Sequence, residues 1–126
     1  MAEDVTGRVL VVDDSAAMRR LVCDALEMEG FETVEASSGF AAIKELAAQS
    51  FDLVVTDINM PELTGLDVIR YCKSRPASPP VVVISTDQAK EDRRRALRLG
   101  ALDYVTKPFD PEDLVALCRR CIGAGE

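Results

Sequence analysis

The residues of this chain with the clearest chemical potential are acids, hydroxyls and a lysine, each placed where an apolar run ends. Asp13 and Asp14 follow the run VLVV, and Asp57 follows the run DLVVT. Three further polar residues stand at the ends of later runs: Ser85, Thr86 and Lys107. A single Asp is enough to cap the helix expected after the first run, so the doubled acid needs a second explanation.

This combination of groups is suited to binding a cation together with an anion. Clustered carboxylates repel one another and cannot all ionise at low cost without a cation. Oxygen ligands alone favour a hard ion, and Mg²⁺ suits a site with a few carboxylates because it keeps water and substrate oxygens as its other ligands. A lysine beside such a site attracts phosphate, and Asp can itself act as a nucleophile and form an aspartyl-phosphate. The chain has no histidine, which excludes the commonest general base and the commonest transition-metal ligand.

Alternating strands and helices are predicted to position these residues. Runs rich in β-branched residues occupy 8–12, 32–36, 52–56, 80–85 and 103–106. Helical periodicity lies between them, with a first helix predicted over 15–29 and a last helix beginning at Pro111, capped by Asp110. The first, third and fourth runs are apolar throughout, as in parallel strands covered on both faces. The pattern predicts a doubly wound α/β fold, in which the polar residues gather at the carboxyl edge of the sheet.

Length and composition limit the classes of protein to consider. The 126 residues are 48% hydrophobic and 29% charged, and this length and composition predict a single globular domain over 1–126. The net charge of −7 argues against direct binding to nucleic acid. No apolar run approaches the ~20 residues needed to cross a bilayer, and the start MAEDVTG is unlike a signal peptide. We therefore expect a cytoplasmic protein without membrane insertion.

Four cysteines raise the question of a redox or zinc site. Cys118 and Cys121 form a C-x-x-C, but they lie inside an apolar-periodic helix rather than at its start. Cys23 and Cys72 stand alone in other helical stretches, and zinc sites need four ligands at paired spacings. We interpret all four as small packing residues of a reduced protein.

Four motifs taken together are similar to the receiver domain of two-component response regulators. They are VVDDS after the first strand, TDINMPELTG after the third, VVISTD at the fourth and DYVTKPF at the fifth. The resemblance runs from about Arg8 to Ile122. It implies a flavodoxin-like fold with a five-stranded parallel sheet in the order 2-1-3-4-5 and five flanking helices.

The resemblance also implies roles for the residues at the strand ends. Asp57 is the implied phospho-acceptor and, with Asp14, a direct ligand of Mg²⁺. Asp13 is expected to hold ligand waters, and the backbone carbonyl of Asn59 to complete the protein's share of the ligands. Lys107 is expected to pair with a phosphoryl oxygen, with its direction set by a cis peptide bond to Pro108.

A second group of implied residues belongs to a conformational switch. Ser85 is the implied switch hydroxyl and Tyr104 the switch aromatic, while Thr86 is interpreted as a wall of the phosphoryl pocket. The residue types alone also allow Ser85 to cap a loop and Tyr104 to be a static packing ring. Asn59 and Asp87 occupy the positions at which the family tunes dephosphorylation, and this polar pair resembles the fast-resetting chemotaxis type.

The expected function is that of a stand-alone receiver that catalyses only its own phosphorylation and dephosphorylation. The resemblance implies a phosphohistidine on a sensor histidine kinase or phosphotransfer protein as the donor. It also implies a downstream protein target on the face made by the fourth helix, fifth strand and last helix. The fourth helix carries a basic cluster that is either a solvated face or a docking surface for an acidic partner: Arg93, Arg94, Arg95 and Arg98.

Two other functions within the same family and one outside it are alternatives for this sequence. A phosphorelay intermediate would use the same residues, whereas a plain interaction module would lack one of Asp57, Lys107 or the acid pair, and all are present. An Mg²⁺-dependent phosphatase with an Asp nucleophile would normally show D-x-D after the first strand, which DDSAA does not supply.

Overall fold

A computed structural model describes residues 5–86 and 90–124 of the chain, which alternate strictly between strand and helix. The strands are β1 (Arg8–Val12), β2 (Glu32–Ala36), β3 (Leu53–Asp57), β4 (Val81–Ser85) and β5 (Asp103–Thr106). The helices are α1 (Ala16–Glu27), α2 (Gly39–Ala48), α3 (Gly65–Lys73), α4 (Lys90–Leu99) and α5 (Pro111–Ala124). The predicted number and order of strands and helices are thereby confirmed.

The five strands form one parallel sheet in the order β2-β1-β3-β4-β5. Val9 of β1 faces Thr33 of β2 on one side and Leu53 of β3 on the other. The chain places β2 on one side of β1 and then continues with β3 on the other side. The strands β1 and β3 therefore lie side by side, although a strand and two helices separate them in sequence. This is the flavodoxin-like order that the resemblance implies, and it makes the ends of β1 and β3 neighbours.

Two layers of helices cover the sheet and divide the core in two. Val9 and Val11 point into the half that also contains buried residues of α1 and α5. Leu10 and Val12 point into the other half, where α2, α3 and α4 pack. Because successive strand side chains alternate between faces, both faces of β1 must be apolar, and this explains the uninterrupted hydrophobic runs of the central strands.

The helix and strand ends differ slightly from the predicted ones. Helix α1 ends at Glu27 rather than at residue 29, and the chain then turns through Gly30 with φ of +92°. Strand β3 includes Asp57, because the ladder continues past it through the Ile58 N–H, which donates to the Ile84 carbonyl at 3.1 Å. The predicted start of α5 is confirmed: Pro111 is its first residue and Asp110 Oδ1 accepts from the Glu112 N–H at 2.9 Å.

The four cysteines are free and buried, as expected for packing residues. Burial raises the pKa of the Cys118 thiol to about 12 and that of Cys72 to about 11, so neither forms a reactive thiolate near neutral pH. Among the described residues, no helix is both long and apolar enough to cross a bilayer.

Candidate functional site: an acidic pocket at the carboxyl edge of the sheet

Three carboxylates meet where β1 and β3 end. Asp13 and Asp14 follow β1, Asp57 is the last residue of β3, and the register pairs Val12 with Thr56 just before them. One carboxylate oxygen from each of the three acids lies within 4.8 Å of those of the other two. Asp13 and Asp57 are only 2% and 8% exposed, whereas Asp14 is exposed. The predicted convergence of these acids at one edge of the sheet is confirmed.

The capping explanation for the doubled acid is wrong, because Ser15 caps α1. The Ser15 Oγ accepts from the Met18 N–H at 3.3 Å. The Asp13 Oδ1 accepts from the Ser15 N–H at 2.8 Å and so shapes the turn between β1 and α1. Among the described residues, the buried Asp13 Oδ2 has no hydrogen-bond partner. A buried carboxylate oxygen without a donor is costly, so this oxygen is suited to ligate a cation.

Lys107 brings a positive charge to the same place from the end of β5. Its Nζ lies 3.6 Å from Asp57 Oδ1 and 3.7 Å from Asp13 Oδ2. Its backbone N–H donates to the Ser85 carbonyl at 2.6 Å, which ties the start of the following loop to β4. The peptide bond between Lys107 and Pro108 is cis, as the resemblance implies.

The electrostatics of the pocket favour a cation beyond this lysine. Burial, followed by the charge of Asp13, raises the pKa of Asp57, and Lys107 opposes the rise only in part. Burial also raises the pKa of Asp13, against the opposing effects of the Ser15 N–H and Lys107. The single positive charge of Lys107 therefore balances only part of the negative charge of the three adjacent carboxylates. An all-oxygen donor set with an unpartnered buried oxygen fits a hard divalent cation such as Mg²⁺.

The predicted switch residues lie on the neighbouring strands. Ser85 ends β4, is 1% exposed, and its Oγ is the second buried oxygen without a hydrogen-bond partner among the described residues. Tyr104 of β5 is 39% exposed, and the guanidinium of Arg93 on α4 lies over its ring at 4.9 Å. Arg93 Nη1 also donates to Thr106 Oγ1 at 3.1 Å, so this arginine joins α4 to the strand that carries Tyr104.

Two of the remaining predicted residues, Asn59 and Thr86, follow closely on the ends of β3 and β4. Asn59 has an exposed side chain, but its backbone hydrogen bond to the Asp57 carboxylate works to lower the pKa of that acid. The main chain of Asn59 therefore belongs to the pocket. Thr86 is exposed directly after β4, and Asp87 lies outside the described residues.

Gly65, the first residue of α3, supports the pocket through its backbone. Its N–H donates to the Ile58 carbonyl at 2.8 Å. A Cβ on this residue would lie 2.4 Å from the Asp57 carbonyl oxygen and 2.8 Å from the Ile58 Cα. The first turn of α3 therefore packs directly on the backbone that carries Asp57. In the sequence, the only sign of this contact is a glycine directly after the helix cap Thr64.

A five-stranded 2-1-3-4-5 sheet with acids from β1 and β3 and a lysine from β5 at one edge defines a receiver-type α/β protein. The chain matches the model of the response regulator receiver domain over residues 9–119. It is 41% identical over 111 residues to the phosphate regulon transcriptional regulatory protein PhoB of Escherichia coli (strain K12), covering 86% of this chain and 48% of PhoB. The chain belongs to the response regulator receiver domain family.

Other relatives and solved structures agree with this assignment. The probable transcriptional regulatory protein TcrX of Mycobacterium tuberculosis is 40% identical over 116 residues, covering 89% of this chain and 50% of TcrX. The receiver domain of NtrX from Brucella abortus superposes with a TM-score of 0.87 at 33% identity, covering 91% of this chain and 98% of that one. A receiver domain protein from Clostridium thermocellum gives 0.87 at 28%, covering 93% and 94%. The chain spans about half the length of PhoB and TcrX.

We expect Gly65→Ala to destabilise the protein by about 1–3 kcal/mol, because the new methyl group overlaps the backbone at Asp57 and Ile58. Urea denaturation measures the change. Gly123→Ala is the matched control, since a Cβ there meets nothing within 4 Å and alanine favours the helix. Equal stability of the two variants would contradict the close packing.

We expect Asp57→Asn to stabilise the cation-free protein near neutral pH. The raised pKa means that the folded state binds a proton at Asp57 more tightly than the unfolded state, whose value lies near 3.8. The stabilising contribution of this proton is complete below that value and is lost as the pH rises through the folded pKa. The advantage of Asn over Asp should therefore be larger at about pH 7 than at about pH 4 in urea denaturation with a chelator.

Magnesium should reverse this ranking, because a cation that binds only the folded wild type stabilises it. Asp113→Asn on the exposed start of α5 serves as the control and should show neither effect. A stability advantage of Asp57→Asn that stays the same with pH and with Mg²⁺ would refute the electrostatic account of the pocket.

Proposed function

We propose that this receiver accepts a phosphoryl group on Asp57 in a Mg²⁺-dependent transfer. One observation carries the proposal: a buried aspartate lies 3.6 Å from a lysine ammonium and shares its pocket with two further carboxylates. The donor is a phosphohistidine of a sensor histidine kinase or phosphotransfer protein. An oxygen of Asp57 forms the new bond to phosphorus as the bond from phosphorus to the histidine nitrogen breaks.

The other pocket residues have electrostatic tasks in this transfer. Asp13, Asp14, Asp57 and the backbone carbonyl of Asn59 are the groups that would hold Mg²⁺. The bound ion supplies positive charge to the phosphoryl oxygens, on which negative charge is spread in the transition state. Lys107 supplies a second positive charge, and its present ion pairs with Asp13 and Asp57 hold the ammonium in the pocket beforehand.

Ser85 and Tyr104 form the proposed switch. The buried Ser85 Oγ lacks a partner, and it would gain one by donating its hydroxyl hydrogen to a phosphoryl oxygen on Asp57. The Ser85 side chain would move toward Asp57 to make this bond and would leave space behind it. The exposed Tyr104 ring would turn into that space, away from the Arg93 guanidinium. Thr86, the residue directly after Ser85, would form a wall of the phosphoryl pocket. The charge of the phosphoryl group thus shifts the equilibrium between two arrangements of β4, β5 and α4.

The proposed output surface is the face made by α4, β5 and α5, where a downstream protein target would bind. Arg94, Arg95 and Arg98 are exposed on α4. Arg94 pairs with Glu91 at 2.7 Å and Arg95 with Asp92 at 3.6 Å, so much of this charge is compensated locally. The movement of Tyr104 on the same face, rather than net charge, would then tell a partner whether Asp57 is phosphorylated.

Two neighbouring functions use the same fold. A phosphorelay intermediate would pass the phosphoryl group from Asp57 to another histidine, and the pocket supports this equally well. A plain protein-interaction module is not favoured, because it has no use for a buried acid beside an ammonium and an unpartnered serine.

Incubation with acetyl phosphate and Mg²⁺ should increase the intact mass of the chain by one phosphoryl group. A chelator should abolish the gain, and Asp57→Asn should lack it, whereas Asp113→Asn should match the wild type. Lys107→Met should slow the gain by about 10²–10³-fold, the effect typical of losing one preorganised charge at a transition state. A mass gain that survives Asp57→Asn would reject Asp57 as the acceptor.

The switch predicts that the Tyr104 ring becomes buried when Asp57 is phosphorylated. In Tyr71→Phe protein labelled with fluorotyrosine, Tyr104 gives the single ¹⁹F signal, and its solvent isotope shift reports exposure. Phosphorylation should reduce that shift. Ser85→Ala should leave phosphorylation possible but leave Tyr104 exposed, because the hydroxyl that links the two is missing. Burial of Tyr104 to the same extent in Ser85→Ala would contradict the proposed coupling.

A further inference from the structure

Arg19 of α1 makes a contact with the acidic pocket that nothing in its sequence position indicates. Its Nη1 donates to the backbone carbonyl of Asp13 at 2.7 Å, and its Nε donates to Glu35 Oε1 at 3.1 Å. The side chain is only 16% exposed. A guanidinium held at two points between α1 and the end of β2 therefore fixes the chain at the residue that begins the acidic pair.

The contact completes the anchoring of Asp13. The Asp13 N–H donates to the Ala36 carbonyl at 3.1 Å and its Oδ1 accepts from the Ser15 N–H at 2.8 Å. With the carbonyl held by Arg19, the Oδ2 is left without a hydrogen bond and lies 3.7 Å from Lys107 Nζ. The anchors thus direct one specific carboxylate oxygen into the pocket, and they also fix the peptide that leads to Asp14.

Arg19 acts on this segment through geometry, because its charge is compensated. Its Nε lies 3.1 Å from Glu35, and the Arg20 Nη1 lies 2.6 Å from the other oxygen of the same carboxylate. The bonds to Arg20 and Arg19 lower the pKa of Glu35, so that carboxylate stays ionised at neutral pH. Glu35 orients the Arg19 fork and offsets its positive charge, which would otherwise compete with a cation in the pocket.

We propose that Arg19 is a positioning residue for the divalent-cation site: by holding the Asp13 carbonyl it sets the Asp13 and Asp14 carboxylates at the distance from Asp57 that a cation requires. The proposal rests on the proposed function, in which this pocket binds Mg²⁺. Arg19 does not touch the cation. Its loss allows the segment from Asp13 to Ser15 to move, and the acids then spend less time in the binding arrangement.

The test measures Mg²⁺ affinity without phosphorylation, by titrating ¹⁵N-labelled protein with MgCl₂ and following the amide signals of Asp14 and Asn59. Arg19→Met should weaken the affinity by about tenfold, in the range seen for residues that support metal ligands. Arg19→Lys should be similarly impaired, since an ammonium keeps the charge without the two-point fork. Glu35→Gln should shift the affinity in the same direction to a smaller degree.

Arg20→Gln is the matched control, because Arg20 is the next residue on α1 and also bonds Glu35 but does not contact Asp13. Its Mg²⁺ affinity should stay within about twofold of the wild type, as expected for an exposed ion pair. Unfolding by urea, measured on every variant, separates loss of stability from loss of affinity. If Arg19 only supports the fold, Arg19→Met would lower the free energy of unfolding and leave the Mg²⁺ affinity unchanged.

The outcomes distinguish this proposal from the one on which it rests. If wild-type amides do not respond to MgCl₂, the proposed function fails. If the wild type and Arg20→Gln bind Mg²⁺ and Arg19→Met binds it equally well or more tightly, the positioning role alone is overturned. Full recovery in Arg19→Lys would overturn it too, because charge would then suffice.

Discussion

Repulsion among three carboxylates at the edge of a buried sheet is the constraint on which the functional part of this structure depends. Asp13 and Asp57 are buried, Asp14 is adjacent, and a single ammonium from Lys107 faces them. Burial first, and then the charges of the neighbouring acids, raise the pKa values of Asp13 and Asp57, and these raised values express the cost of that arrangement. A fold tolerates such a cost when a ligand relieves it, and both a divalent cation and a cation-bound phosphoryl group would do so.

The surrounding structure keeps the acids together despite their repulsion. The β1–β3 ladder holds the two strand ends in register, the first turn of α3 packs on the Asp57 backbone at Gly65, and Arg19 holds the Asp13 carbonyl. Each of these contacts is to the main chain rather than to a carboxylate. These three contacts therefore fix the peptides that carry the acids without occupying a carboxylate oxygen, which is how binding sites avoid reorganisation when the ligand arrives.

Much of the pocket was predictable because it is built from residues at strand ends. The carboxyl ends of parallel strands lie at one edge of the sheet. The sequence alone therefore predicts that Asp13, Asp57, Ser85 and Lys107 lie close together. Gly65 and Arg19 could not be assigned in this way. Their importance lies in contacts to backbone atoms of residues on the other side of a turn or loop, Asp13 for Arg19 and Asp57 and Ile58 for Gly65. Neither spacing nor residue type shows where a carbonyl will point.

The sequence by itself determined the alternation of strands and helices, the burial of the central strands and the chemical identity of the site. These follow from periodicity and residue type, which are local properties of the chain. Only the tertiary structure decided that Ser15 and not an aspartate caps α1 and that Tyr104 lies outward against Arg93. It also decided that, among the described residues, the buried Asp13 Oδ2 and Ser85 Oγ have no hydrogen-bond partner. Hydrogen-bond satisfaction and exposure depend on which distant atoms arrive at a given point, and packing alone settles that.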